Sequence, residues 1–156
     1  MYQILTVFLF FSSASELIIG EEKVDPGIIF VFEGAVKDNI YPSSFHLPES
    51  QTDVHIEARV NWDNKKIPEG AVPGGFIPYM HITALVKNSK TGLKTFIDLK
   101  PHINLIDNFH YARNISLPGS TKDRYDIEFK ISPPSKIELA LHNDWNEEYG
   151  KNLLNE

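Results

Sequence analysis

The stretch 53-DVHIEARV-60 alternates strictly. Val54, Ile56, Ala58 and Val60 fall on one side, and Asp53, His55, Glu57 and Arg59 on the other. Successive strand side chains point to opposite faces, so the pattern predicts a strand with one buried face. The other face is unusual. Thr, Lys or Ser are the common outward residues of such a strand, whereas here a histidine and a carboxylate stand two residues apart beside an arginine. That spacing lets His55 and Glu57 bind one cation or orient each other. The plainer alternative is a cross-strand ion pair with Arg59 or a neighbour.

Working outward, similar short runs recur. They are GIIFVFEGAV (27–36), MHITALVKN (80–88), LKTFIDLKPHINL (93–105), FHYARNISL (109–117), RYDIEFKISP (124–133) and KIELALHND (136–144). Turn chemistry separates them: EGAVPGG, NSKTG, LPGSTKD and SPPS. Past the N-terminus no run of convincing length carries a helical period. The expected fold class is all-β, a single-domain antiparallel β-sandwich of about seven strands.

The chain has 156 residues, 42% hydrophobic and 12% aromatic, which suits one domain with an ordinary core. Its net charge is −6 and it has no basic stripe, which argues against nucleic acid as a partner. With no cysteine, thiolate metal sites, disulfides and cysteine nucleophiles are excluded. Ile4 to Phe11 form an apolar run followed by the small residues Ser12 and Ala14, as in a signal peptide. The run is too short for a stable bilayer anchor. The expected organisation is a signal peptide at 1–20, a β-sandwich domain at 21–150 and a tail at 151–156, with a periplasmic or secreted product. The competing reading of the apolar run is a buried first strand. Asn114-Ile115-Ser116 matches a glycosylation sequon, a pattern common by chance.

Serine elbows, phosphate loops, dinucleotide fingerprints and HExxH are absent. Six histidines remain: His46, His55, His81, His102, His110 and His142. A sandwich brings distant segments together, so several imidazoles can converge, but spacing alone does not select which.

DVHIEARV, PEGAVPGGFIPYMHITALVKNSKTG, KPHINLIDNFHYARNISL and YDIEFKISPP…LALHNDW, in this order, resemble the periplasmic high-affinity ferrous-iron transport proteins. The resemblance runs from about Gly27 to Trp145, nearly the whole chain past the leader. It implies an immunoglobulin-like β-sandwich, usually a homodimer, binding copper and iron or manganese near the dimer interface. It also implies a membrane ferrous-iron permease as partner. Carried over residue by residue, the family's ligand histidines fall on His55, His110 and His142, and its glutamate on Glu57. The aspartate of the ligand loop falls on Asp107, with Asp98 as the alternative. The family's M-P-M segment reads Lys100-Pro101-His102 here, so His102 stands where a ligand methionine is expected. Imidazole suits Cu(II), Zn(II), Ni(II) or Fe(II), whereas a thioether favours Cu(I).

The resulting expectation is a metal-binding protein, not an enzyme, that captures iron or copper outside the membrane for an uptake system. A metal-dependent redox enzyme, such as a ferrous oxidase, is one alternative. An adhesion or carbohydrate-binding sandwich with incidental histidines is another.

Overall fold

In the computed structural model, which describes residues 6–9 and 17–153, the opening stretch is a strand as its alternation requires. This strand, β4 (Val54–Trp62), buries Val54, Ile56, Ala58 and Val60 in the core. It follows β1 (Thr6–Leu9), β2 (Leu17–Val24) and β3 (Ile28–Ala35), and precedes β5 (His81–Asn88), β6 (Lys94–Asn104), β7 (Asn108–Ile115) and β8 (Tyr125–Ser132). All pairings are antiparallel, in the order β1-β8-β5-β6-β7-β4-β3-β2. The all-β, single-domain sandwich expected from the turn spacing is what the chain forms.

One strand joins the two layers. Lys94–Leu99 of β6 pairs with β5, and Lys100–Asn104 pairs with β7. The sheet therefore turns over itself at Leu99–Lys100, and its inner faces meet. Phe32 of β3 stacks on Phe129 of β8 with ring centres 4.1 Å apart. Ile56, Val86, Ile127 and Tyr111 fill the same core. The Tyr111 hydroxyl donates to Ile77 O at 2.8 Å and accepts from Met80 N at 3.0 Å, fixing the loop that leads into β5. Tyr125, at the start of β8, donates back to Ser120 O at 2.8 Å. This is the tyrosine-corner arrangement of immunoglobulin-type sandwiches.

Three expectations are corrected or refined. Residues 136–144 do not form a strand: Lys136–Glu138 is a turn, and Ile137 is 98% exposed. Pro133 and Pro134 end pairing before it, and Ser135 closes the turn by donating N–H and O–H to the Glu138 carboxylate. A helix, α1 (Asn143–Leu153), then covers one end of the sandwich and replaces the expected tail from 151 onward within the described residues. Trp145 and Tyr149 lie one turn apart on it, and Trp145 packs edge-on against Trp62 of β4. Two apolar contacts spaced for a helix were too few to announce it in sequence. At the other end, β1 lies within the segment expected as a leader and pairs with β8, while β2 crosses that segment's expected end. Among the described residues, no helix is long and apolar enough to cross a membrane.

The third concerns the polar face of β4. It is not solvent-facing: His55 is 4% and Glu57 6% exposed. The connection from β3 to β4, residues 36–53 with two single turns of 3₁₀ helix (Ser43–Phe45 and Glu49–Gln51), covers it. Asp38 O and Leu47 O of this connection accept hydrogen bonds from Asn114 of β7 at 2.8 and 2.9 Å.

Candidate metal centre

Three strands contribute to the covered face. His55 and Glu57 come from β4, His110 from β7 and His102 from β6. In register, His102 stands directly opposite His110, and Glu57 opposite Ala112. Ala112 lies between His110 and Asn114 on the same face and is fully buried. Its single methyl leaves room for longer neighbouring side chains to lean together. One ring nitrogen from each of His55, His102 and His110 lies within 4.8 Å of the other two. Ring centres are 5.5 Å apart for His55–His102, 6.0 Å for His102–His110 and 6.3 Å for His55–His110. Imidazoles sharing one metal through bonds of about 2.0–2.1 Å have ring centres about 5–6 Å apart.

Hydrogen bonds assign the lone pairs. Asn114 Nδ2 is occupied in donating to two carbonyls, so its Oδ1 is the acceptor facing His55. His55 Nδ1–H therefore donates to Asn114 Oδ1 at 2.7 Å, and His55 Nε2 carries the free pair. His110 Nδ1–H donates to Asn108 O at 3.1 Å, which again leaves Nε2. Ligand histidines are commonly oriented in this way through their second nitrogen. His102 differs: both its ring nitrogens are shielded from solvent and have no hydrogen-bond partner. Buried polar atoms without partners are uncommon and costly, and a metal ion is a partner that these two neighbours could share with it.

Burial also favours the neutral form of His55 and His102. Desolvation is the largest cause lowering the pKa of His55, opposed by the Asn114 hydrogen bond. For His102, desolvation, then the charges of His55, His46, His110 and Arg113, bring the pKa down to about 4. Neutral imidazole is the ligating form. Glu57 Oε1 lies 3.8 Å from His55 Nε2, near enough to offset the charge of a bound cation. Arg59 belongs elsewhere, paired with buried Glu33 of β3 at 2.8 Å.

Two sequence-derived candidates stand apart from the cluster. Asp107 lies in the β6–β7 turn, bound to Asn104 through its Oδ2 at 2.9 Å and its backbone N–H at 2.6 Å. His142 is exposed and lines a cleft of about 400 Å³ with Trp62, Met80 and Trp145. Asp98 pairs with Lys100 at 2.8 Å. The residue absent from the sequence-derived set is His46, whose ring lies edge-on against His102 with centres 5.2 Å apart. It sits in an irregular connection without periodicity, and only its residue type drew notice. The sequon asparagine is 4% exposed and bonded through both amide ends, so in the folded chain it is closed to modification.

A family model described as Fe2+ transport protein matches residues 13–155. No curated protein sequence matches the chain. Among solved structures, a copper-bound variant of Campylobacter jejuni P19 matches with a TM-score of 0.70 at 28% identity, covering 82% of this chain and 83% of that one. A copper-bound variant of FetP from uropathogenic Escherichia coli strain F11 matches with a TM-score of 0.70 at 27% identity, covering 84% and 85%. Copper-reconstituted Campylobacter jejuni P19 matches with a TM-score of 0.71 at 26% identity, covering 86% of each chain.

Proposed function

This chain belongs to the Fe2+ transport protein family, and from that premise we propose that it captures a divalent transition-metal ion outside the cytoplasm and passes it to a ferrous-iron uptake system. The observation that carries the reading is that one ring nitrogen from each of His55, His102 and His110 lies within 4.8 Å of the other two, with His102 held by no hydrogen bond of its own. Copper and iron are the expected cargo, copper being what the solved relatives hold. With no cysteine in the chain and three imidazoles in the cluster, the site suits Cu(II), Fe(II) or Zn(II) over Cu(I). A few neutral imidazoles with a nearby carboxylate bind reversibly, as a carrier requires, and no bond-making step is needed.

Residues 1–20 act as a cleaved export signal in this reading, and intact-mass measurement of the exported protein checks it. The carrier works as a homodimer. The support is the β6–β7 hairpin, where Ile103, Leu105, Ile106 and Phe109 are exposed beside His102 and His110. His142 and Asp107 keep a ligand role only if a second copy or a moved turn brings them in.

The test is the double variant His55→Ala, His110→Ala, natively purified and assayed by elemental analysis. Wild type should carry near-stoichiometric copper or iron, and the variant background levels. Equal metal in both would overturn the reading. Wild type should also bind iron without oxidising it catalytically; turnover in a ferrous-oxidation assay would favour the enzyme alternative.

A further inference from the structure

We propose that His46 is an additional metal ligand, contributed by the β3–β4 connection and closing the centre from the side opposite the strands. The proposal rests on the metal-binding reading above and names a residue that neither the family resemblance nor strand alternation supplies. His55, His102 and His110 all stand on strands and fix three positions. A histidine-bound divalent ion of the zinc or copper type commonly takes four or more ligands. Glu57 can approach from the β4 side, next to His55 Nε2. On the covering side the adjacent imidazole is His46, half-buried, its ring centre 5.2 Å from that of His102. Both nitrogens of the His102 ring that it packs against are buried and without a hydrogen-bond partner. Among the described residues no hydrogen bond holds the His46 ring away, so rotation about its two side-chain torsions can turn a nitrogen toward the shared point.

The backbone carrying it is tied to the same centre. Leu47 O, one residue on, accepts from Asn114 Nδ2, while Asn114 Oδ1 holds His55. One amide therefore sets both the height of the connection and the orientation of a strand ligand. Three ligands are fixed in the sheet and one is carried on a connection. His46 is thus the ligand past which metal enters and leaves.

The test uses chelator-stripped full-length protein titrated with Cu(II) alone, followed by calorimetry and by electron paramagnetic resonance, for wild type, His46→Ala, His46→Gln, His55→Ala and, as a control, His81→Ala, whose exposed ring pairs with Glu138. Both His46 variants should bind at least about 10-fold more weakly, no less than the loss of an orienting partner costs. They should show one fewer nitrogen in the copper hyperfine pattern and release copper faster to a competing chelator, while His81→Ala behaves as wild type. His46 variants with wild-type affinity and spectrum, alongside weakened binding in His55→Ala, would overturn the His46 assignment and leave the three-strand site standing. Wild-type binding by His55→Ala as well would overturn both.

Discussion

Asn114 carries more of the site's geometry than any ligand. Its oxygen fixes the tautomer of His55, and its two N–H groups hold Asp38 O and Leu47 O. Asn114→Ala would leave a buried imidazole N–H and two carbonyls without partners. Metal affinity should fall by about 10- to 100-fold, as for other outer-shell partners, and stability by about 1–3 kcal/mol. Calorimetry and thermal unfolding measure the two, and unchanged affinity would show that His55 needs no such orientation. Sequence displayed Asn114 only as part of a sequon. His55, Glu57, His102 and His110 were legible because strand alternation and family order marked them. His46 was not, because an irregular connection has no period from which to read a side chain's direction.

At the scale of elements, β6 matters most, since its first half belongs to one layer and its second half to the other. That crossover places His102 beside His110 rather than beside β5. The hairpin it forms with β7 ends in an exposed apolar tip. In a homodimer built on that tip, Leu105→Asp with Ile106→Asp should give monomers by analytical ultracentrifugation. A dimer that survives both charges would place the interface elsewhere. Runs 27–36, 53–62, 80–88, 93–105, 109–117 and 124–133 were legible as strands because apolar residues alternate between turn residues. KIELAL alternates too, but its apolar residues found no sheet to pack on after Pro133 and Pro134, and Ser135 with Glu138 made a turn instead. Alternation reports amphipathicity, and a strand needs a pairing edge as well.

At the scale of the molecule, two layers are held by their inner faces, with Phe32 on Phe129 at the middle. Phe129→Ala should cost about 3–5 kcal/mol in chemical denaturation; a cost below about 1 kcal/mol would mean that the layers close without this pair. The metal-free fold should also be acid-sensitive. His55 and His102 have folded pKa values below the unfolded value of about 6.5. The unfolded chain therefore binds more protons on acidification, and their stabilising contribution, complete above about pH 6.5, is lost as pH falls toward about 4 for His102. The melting temperature of stripped protein should fall over that window, and less so in His102→Ala. A flat profile would contradict the burial. By the same logic, proton-driven metal release sets in at lower pH than unperturbed histidines imply. The sequence by itself determined six of the eight strands among the described residues, the all-β class and the absence of thiolate chemistry, and the family order marked His55, Glu57, His102 and His110. The first three follow from residue type and period, which are local. Only the tertiary structure decided that the polar face of β4 is covered, that the His46 ring lies against His102 while His142 and Asp107 fall outside the three-histidine group, and which nitrogen of His55 and His110 is free. Those depend on where the 36–53 connection comes to rest and on a strand that changes layers, and neither leaves a period in the chain.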